Sequence, residues 1–167
     1  MILPLQTNMG SIGKRVPTKS NFEIGINAEG EIQYLKNTFY QDGGCSYNAT
    51  HTSITIRHFH NCYNPKRWYI SSNSVLTDKP SNTWCRAPFT TEGVAMIEYI
   101  MEKIAFSVHR DPIEVRLLNM ALENNPIPEL INQLRRDANF DKRKKLVEEF
   151  NRNNRWRKRA IKMIPLT

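Results

Sequence analysis

Along the first third of the chain, apolar residues recur at every second position. Phe22, Ile24 and Ile26 alternate with polar residues, and Ala28-Glu29-Gly30 offers a turn. Ile32, Tyr34, Thr38 and Tyr40 then form a second β-prone run that stops at Gly43-Gly44. Residues 21–42 are thus expected to form a β-hairpin. Residues 52–57 are β-branched, but the run is too short for its period to separate strand from helix. Residues 67–72 read as another strand, followed by a polar loop through Pro80.

The period then changes. Val94, Ile97, Met101, Ile104 and Val108 recur at three- and four-residue steps, which places them on one face of a helix. Thr90 or Thr91 is a natural N-cap for it. Asp111-Pro112 starts a second helix, with a capping side chain and a proline in the first turn. Val115, Leu118 and Leu122 are expected on its inner side. Residues 124–128 break it, 128–136 make a short third helix, and 141–152 a fourth with Leu146, Val147 and Phe150 as its apolar stripe. Residues 157–166 read as a closing strand with Ile161, Met163 and Pro165 on one side and no obvious partner in the chain. The expected fold class is α+β: a β-rich part over 1–80, a helical part over 90–152 and a final strand over 157–166.

Composition adds bounds. The chain has 167 residues, 40% hydrophobic and 10% aromatic, enough for a packed core and unlike a disordered segment. No run is long enough to cross a bilayer, and residues 1–5 are too short for a signal-peptide core. Cys45, Cys62 and Cys85 lie far apart, which fits reduced thiols. A soluble, cytoplasmic chain is expected, so the sequon Asn48-Ala49-Thr50 reads as chance.

The net charge is +8, with much of the excess in residues 142–145 and 152–162. Lys142–Lys145 and Arg155–Arg159, with Trp156 between basic residues, could track a phosphate backbone. A solvated helix face with Glu148 and Glu149 as counter-charges is the simpler reading, and a salt titration separates the two. His58, His60 and Cys62, with His51 and Cys45 upstream, would share a strand face that zinc could accept. No second paired ligand set follows, so partly buried polar residues explain them more simply. Glu98 and Glu102 lie one helical turn apart, and Asp111 and Glu114 lie close together. Capping and surface solvation account for these carboxylates without a catalytic role.

The most distinctive stretch is Ser81-Asn82-Thr83-Trp84-Cys85-Arg86-Ala87-Pro88, then Thr91-Glu92-Gly93 and a helix. A loop entering a helix N-terminus offers free N–H groups and a field that favours an anion or oxo group. Arg86 adds a permanent positive charge. The chemistry alone leaves open a ligand site and a buried loop whose arginine satisfies local carbonyls.

This run resembles the loop that xanthine dehydrogenases and aldehyde oxidases place against their molybdenum centre: Ser-Asn-Thr, two residues, Arg, then a glycine-rich stretch and a helix. Other landmarks follow the same order. Ile12-Gly13-Lys14-Arg15 resembles the family's basic stretch, Glu23-Ile24-Gly25-Ile26-Asn27 and Gly30-Glu31-Ile32 its paired strands, and Asn61-Cys62-Tyr63 stands at the family spacing from Arg86. Residues 111–120 resemble its D-P-x-E-V-R-x-x-N-M helix, and residues 148–158 its E-x-F-N-x-x-N-x-W-x-K-R element. The likeness runs from about Ile12 to Thr167.

The resemblance implies a piece of the molybdopterin-binding domain, with the Arg86 backbone amide facing the molybdenum ligands. Xanthine dehydrogenases carry a second arginine eight residues before the Asn-Cys-Tyr cysteine, where this chain has Ile54. Loss of that donor implies an aldehyde oxidase with a less polar cavity; Arg57 stands three residues later. Pro88 replaces a stacking phenylalanine, so either Phe89 forms that wall or the stacking contact is lost. Ile54, Pro88 and Phe89 are thus the implied substrate-pocket residues.

The implied reaction oxidises aldehydes to carboxylic acids, with water as oxygen source and O2 as electron acceptor. It would use molybdenum-molybdopterin shared with other segments, plus 2Fe-2S clusters and FAD bound elsewhere in a homodimeric parent. The family's Gly-Gly loop, Gly-Gln loop and late catalytic glutamate do not occur in these residues. No catalytic group and no direct metal ligand are therefore expected in this segment. Its partner would be the rest of the parent chain, not nucleic acid or membrane. Alone it is expected to be inactive and marginally stable, with its last strand unpaired. The alternatives are a xanthine dehydrogenase segment and a nucleic-acid-binding module.

Overall fold

A hairpin and a crossover build the sheet. The computed structural model describes residues 2–46, 48, 52–121 and 123–167. After a short exposed helix α1 (Leu5–Ser11), which the periodicity did not reveal, β1 (Thr18–Ile26) and β2 (Ile32–Gly44) pair antiparallel. They extend past both ends of the 21–42 hairpin. Gly30 turns the chain between them at φ 88°, a conformation glycine adopts without steric cost.

The undecided 52–57 run is helical, within α2 (Thr52–His60). Thr55 and Phe59, four residues apart, are its buried positions, so its face is fixed by packing rather than by its β-branched composition. The helix carries the chain across to β3 (Trp68–Leu76), which lies parallel to β2 and gives the order β1-β2-β3. Parallel neighbours require such a crossover.

β2 turns Leu35, Asn37, Phe39 and Gln41 into the core and leaves Tyr34 and Tyr40 exposed. The Gln41 side-chain amide donates to Thr55 Oγ1 at 2.6 Å, and Phe39 meets Phe59 edge to face at 5.2 Å. α3 (Thr90–Ser107) completes this core with Ile97, Ile100, Met101 and Ile104, while Val94 and Val108 are half-buried. Its N-cap is Phe89, in the left-handed region at φ 62° and without a side-chain cap, rather than Thr90 or Thr91.

α4 (Pro112–Asn119) begins as expected, with the Asp111 carboxylate accepting the Ile113 N–H at 2.8 Å. Its inner residues are Ile113, Val115, Arg116 and Asn119. Leu118 is exposed, because the stripe centred between Val115, Arg116 and Asn119 leaves position 118 to the side. Leu122 lies outside the described residues. The Asn119 side chain ties α4 to the hairpin turn: Oδ1 accepts the Ile32 N–H at 2.8 Å and Nδ2 donates to the Gly30 carbonyl at 2.9 Å.

α5 (Ile127–Asp137) and α6 (Phe140–Asn153) follow. Ile131 and Phe140 anchor them, not the Leu146-Val147-Phe150 stripe: Leu146 is 56% exposed, and the other two are half-buried. Residues 157–166 are extended but form no strand among the described residues, since no neighbour offers a ladder. Their alternation still holds. Met163 and Pro165 are buried and Ile161 half-buried, with Lys162, Ile164 and Leu166 outside. The Asn61 side-chain amide holds this tail by donating to the Pro165 carbonyl at 2.9 Å.

Candidate functional site

Two segments remote in sequence hold the 81–89 loop. Asn82 is buried: its N–H donates to the Gly43 carbonyl at 3.2 Å, Nδ2 donates to the Asp42 carbonyl at 2.9 Å, and its carbonyl accepts from Asn48 at 3.1 Å. Gly44 permits this approach, since a Cβ there would meet the Pro80 carbonyl at 2.5 Å. On the other side, the Thr83 N–H donates to the Lys14 carbonyl at 2.9 Å, and a Cβ on Gly13 would lie 2.6 Å from the Ser81 carbonyl. The Ile12-Gly13-Lys14-Arg15 stretch therefore runs along the loop.

The turn that follows is strained. Arg86, Ala87 and Phe89 all take positive φ, at 30°, 47° and 62°. Each left-handed L-residue costs roughly 1–2 kcal/mol. Arg15 reaches across to hold them. Its guanidinium donates to the Arg86 carbonyl at 2.6 Å and the Ala87 carbonyl at 3.5 Å, and it meets the Glu92 carboxylate at 3.3 Å. The arginine that satisfies the loop carbonyls is thus Arg15, not Arg86.

Phe89 is 2% exposed and packs edge to face with Trp84 at 6.1 Å, while Trp84 is half-exposed. Arg86 itself is exposed, and its backbone N–H has no hydrogen-bond partner among the described residues. Glu92 Oε2 is buried and also lacks a partner among them.

Ile54 is half-buried in the first turn of α2. The next residue, Thr55, presents its carbonyl to Gly93 in the first turn of α3, where a Cβ would come within 2.6 Å of it. Gly93 in turn donates its N–H to Phe89 at 3.2 Å. The first turns of the two helices therefore meet beside the loop, and the three implied pocket residues flank this junction: Ile54 from α2, Pro88 half-buried and Phe89 interior. Arg57 is exposed one turn along α2.

Further along α3 lies a buried ionic cluster that sequence reasoning placed at the surface. Arg116 is 1% exposed. Its Nε donates to Glu98 at 2.7 Å and its Nη2 to Glu102 at 2.9 Å, while the Tyr63 hydroxyl donates to Glu98 at 2.6 Å. Burial opposes the Arg116 charge, but the Glu98 carboxylate outweighs it and the pKa rises. Burial also pushes Glu102 up, yet hydrogen bonds from Lys162 and Arg116 bring it below the usual value. Burial, with Glu98 nearby, pushes the Cys62 thiol up to about 12, so it stays protonated. The same causes raise Tyr63.

His58 and His60 lie on helix α2, so alternation does not bring them to one face with Cys62. His51 and the Ala49-Thr50 part of the sequon lie outside the described residues. Among the described residues, no group of three histidine, cysteine or acidic side chains could hold a metal ion. No helix among them is long and apolar enough to cross a membrane. Several basic side chains already have partners: Lys144 with Asp111, Arg135 with Asp141, Lys158 with the Asn151 carbonyl, and Arg159 over the Phe150 ring. Trp156 is exposed beside Arg155.

A loop pinned from two sides at the head of α3, on an α+β scaffold, is the most constrained surface feature on these elements, and known proteins share the scaffold. The molybdopterin cofactor-binding domain family matches residues 1–120. The xanthine dehydrogenase of Dictyostelium discoideum is 30% identical over 99% of this chain and 13% of its own length. A nicotinate hydroxylase of Emericella nidulans is 28% identical over the same shares. The aldehyde oxidoreductase of Desulfovibrio desulfuricans superposes with a TM-score of 0.70 at 22% identity, over 82% of this chain and 16% of that one. The chain belongs to the molybdenum hydroxylase family, as a part of its molybdopterin cofactor-binding domain. It spans about an eighth of the curated relatives' length.

Proposed function

We propose that this chain forms part of the wall around the metal in an enzyme that oxidises aldehydes to carboxylic acids, with water as oxygen source and O2 as terminal electron acceptor. One observation carries the placement. The Arg86 N–H is without a partner among the described residues, on a loop held from two sides at the head of α3. A fixed amide donor suits the oxygen and sulfur atoms around a molybdenum ion, and it needs no reorganisation during reaction. When bound, molybdenum-molybdopterin supplies two-electron redox chemistry. This chain's residues orient and enclose; the base belongs to a segment beyond these residues, so the chain by itself is inactive.

Ile54 gives the aldehyde reading. An apolar side chain at the α2–α3 junction offers no donor to a purine carbonyl and suits a less polar substrate. Pro88 is half-buried beside it in the loop, and Phe89 packs edge to face against Trp84. The same proposal includes 2Fe-2S and FAD centres elsewhere in a cytoplasmic, homodimeric parent. A second reading, hydroxylation of a nitrogen heterocycle, rests on exposed Arg57 and on relatives named for xanthine and nicotinate.

The test is a substrate panel on the full-length enzyme. Benzaldehyde should exceed xanthine in kcat/KM by at least about a hundredfold, and Ile54→Arg should narrow that ratio. Xanthine turnover without aldehyde turnover, abolished by Arg57→Ala, would establish the second reading instead.

A further inference from the structure

Arg15 lies 71 residues before Arg86 in sequence, and the functional reading above gives it no role. Yet its guanidinium engages the carbonyls of two consecutive left-handed residues and the first-turn carboxylate of α3 at once. The next residue, Val16, is buried, and Lys14 is bonded through its carbonyl to Thr83, so the backbone that carries Arg15 is itself fixed to the loop. A planar fork holds two carbonyls and a carboxylate from two separate nitrogens in one fixed geometry; an ammonium group has its three donors on one freely rotating nitrogen.

We propose that Arg15 and Glu92 form a positioning latch that sets the direction of the Arg86 amide toward the metal. The proposal rests on the reading that this loop faces molybdenum. The residues from Arg86 to Phe89 would relax toward negative φ if left alone, because side chains at Arg86, Ala87 and Phe89 disfavour the left-handed region. The peptide joining Arg86 to Ala87 is held by its carbonyl at 2.6 Å. Fixing that peptide restricts the Arg86 torsions that set the one before it, whose N–H is the Arg86 donor. Glu92 completes the latch: one carboxylate oxygen takes Arg15, and the other is buried without a partner among the described residues. A buried carboxylate with only one oxygen engaged makes Arg15 its principal counter-charge. Neither residue touches the reacting atoms; both act through the loop.

The experiment uses full-length holoenzyme labelled with α-15N arginine. In the wild-type enzyme, hyperfine coupling between reduced paramagnetic molybdenum and the labelled nitrogen reports the Arg86 amide. Arg15→Gln should keep cofactor content, weaken that coupling and lower kcat about tenfold with KM changed less than about threefold, since a small misplacement of an orienting group is enough for such a loss. Arg15→Lys should not restore the coupling, because it returns the charge without the fork. Unchanged coupling and kcat in Arg15→Gln would overturn the latch.

Should that variant fail to load cofactor, Glu92→Gln, which keeps shape and removes one charge, decides. A shifted coupling sustains the proposal, and an unshifted one overturns it. The two readings fail differently. Absence of coupling in wild type overturns the loop's placement at the metal. Coupling present in wild type and identical in every variant overturns only the latch.

Discussion

The chain holds two regions built on different terms. Up to Met120, the sheet, α2, α3 and α4 share one core: Leu35, Phe39, Phe59, Ile97, Met101, Ile104 and Val115 are essentially closed to solvent, and a buried ion cluster sits among them. From residue 123 on, α5, α6 and the extended tail rest on that body through Ile131, Phe140, Met163 and a few polar ties. Leu130, Leu134, Leu146 and Trp156 stay exposed there, alongside most of the net positive charge. The first region matches the cofactor-binding family and carries the loop; the second is attached. Stability should therefore be concentrated in the first.

Breaking the ion cluster should show this most strongly. Arg116→Ala leaves Glu98 buried without its charge partner and should cost about 3–5 kcal/mol, read by urea denaturation. Next, Gly93→Ala places a methyl within 2.6 Å of the Thr55 carbonyl and 2.9 Å of the Phe59 nitrogen. Both are backbone atoms that cannot swing aside, so about 1–3 kcal/mol should be lost.

Acid should act more gently and in two windows. Burial lowers the His60 pKa, so its contribution is complete above the unfolded value of about 6.5 and is lost as pH falls below it. For Asp111, burial raises the pKa, but the Lys144 and Ile113 bonds outweigh it. That depressed carboxylate contributes fully above about pH 4 and loses its contribution below. A melting-temperature profile should fall in those two steps, and Asp111→Asn should flatten the lower one.

The smallest effect belongs to the second region. Leu134→Gln and Leu146→Gln should each change stability by less than about 0.5 kcal/mol. A loss of 2 kcal/mol from either would erase the distinction between the two regions.

What the sequence made legible follows the same division. The hairpin, the α3 stripe and the Asp111 cap could be read because each rests on spacing within one element. Residues 52–57 could not, since Ile54 and Ile56 alternate like a strand while the helix is set by Thr55 and Phe59 against α3. Glu98 looked solvated because Arg116, 18 residues on, is what draws it inside. Alternation at Ile161, Met163 and Pro165 correctly gave the burial of the tail, but a strand needs a neighbour and no periodicity supplies one. At the site, the loop was recognisable as a string of residues and its resemblance named Arg86. The grip of Arg15 on it spans 71 residues and leaves no local trace. The left-handed angles at Arg86, Ala87 and Phe89 were equally hidden, because none of the three is glycine.

Asn119 also governs the order of assembly. Its single amide closes contacts 87 and 89 residues back along the chain, onto the turn that joins β1 to β2. A hairpin can zip locally in microseconds, and this turn carries its own bonds between Asn27, Gly30 and Glu31, but the Ile32 N–H finds its acceptor only once α4 has formed and docked. The hairpin should therefore pair and turn early, with the Ile32 amide proton still exchanging freely until the last helix of the first region arrives.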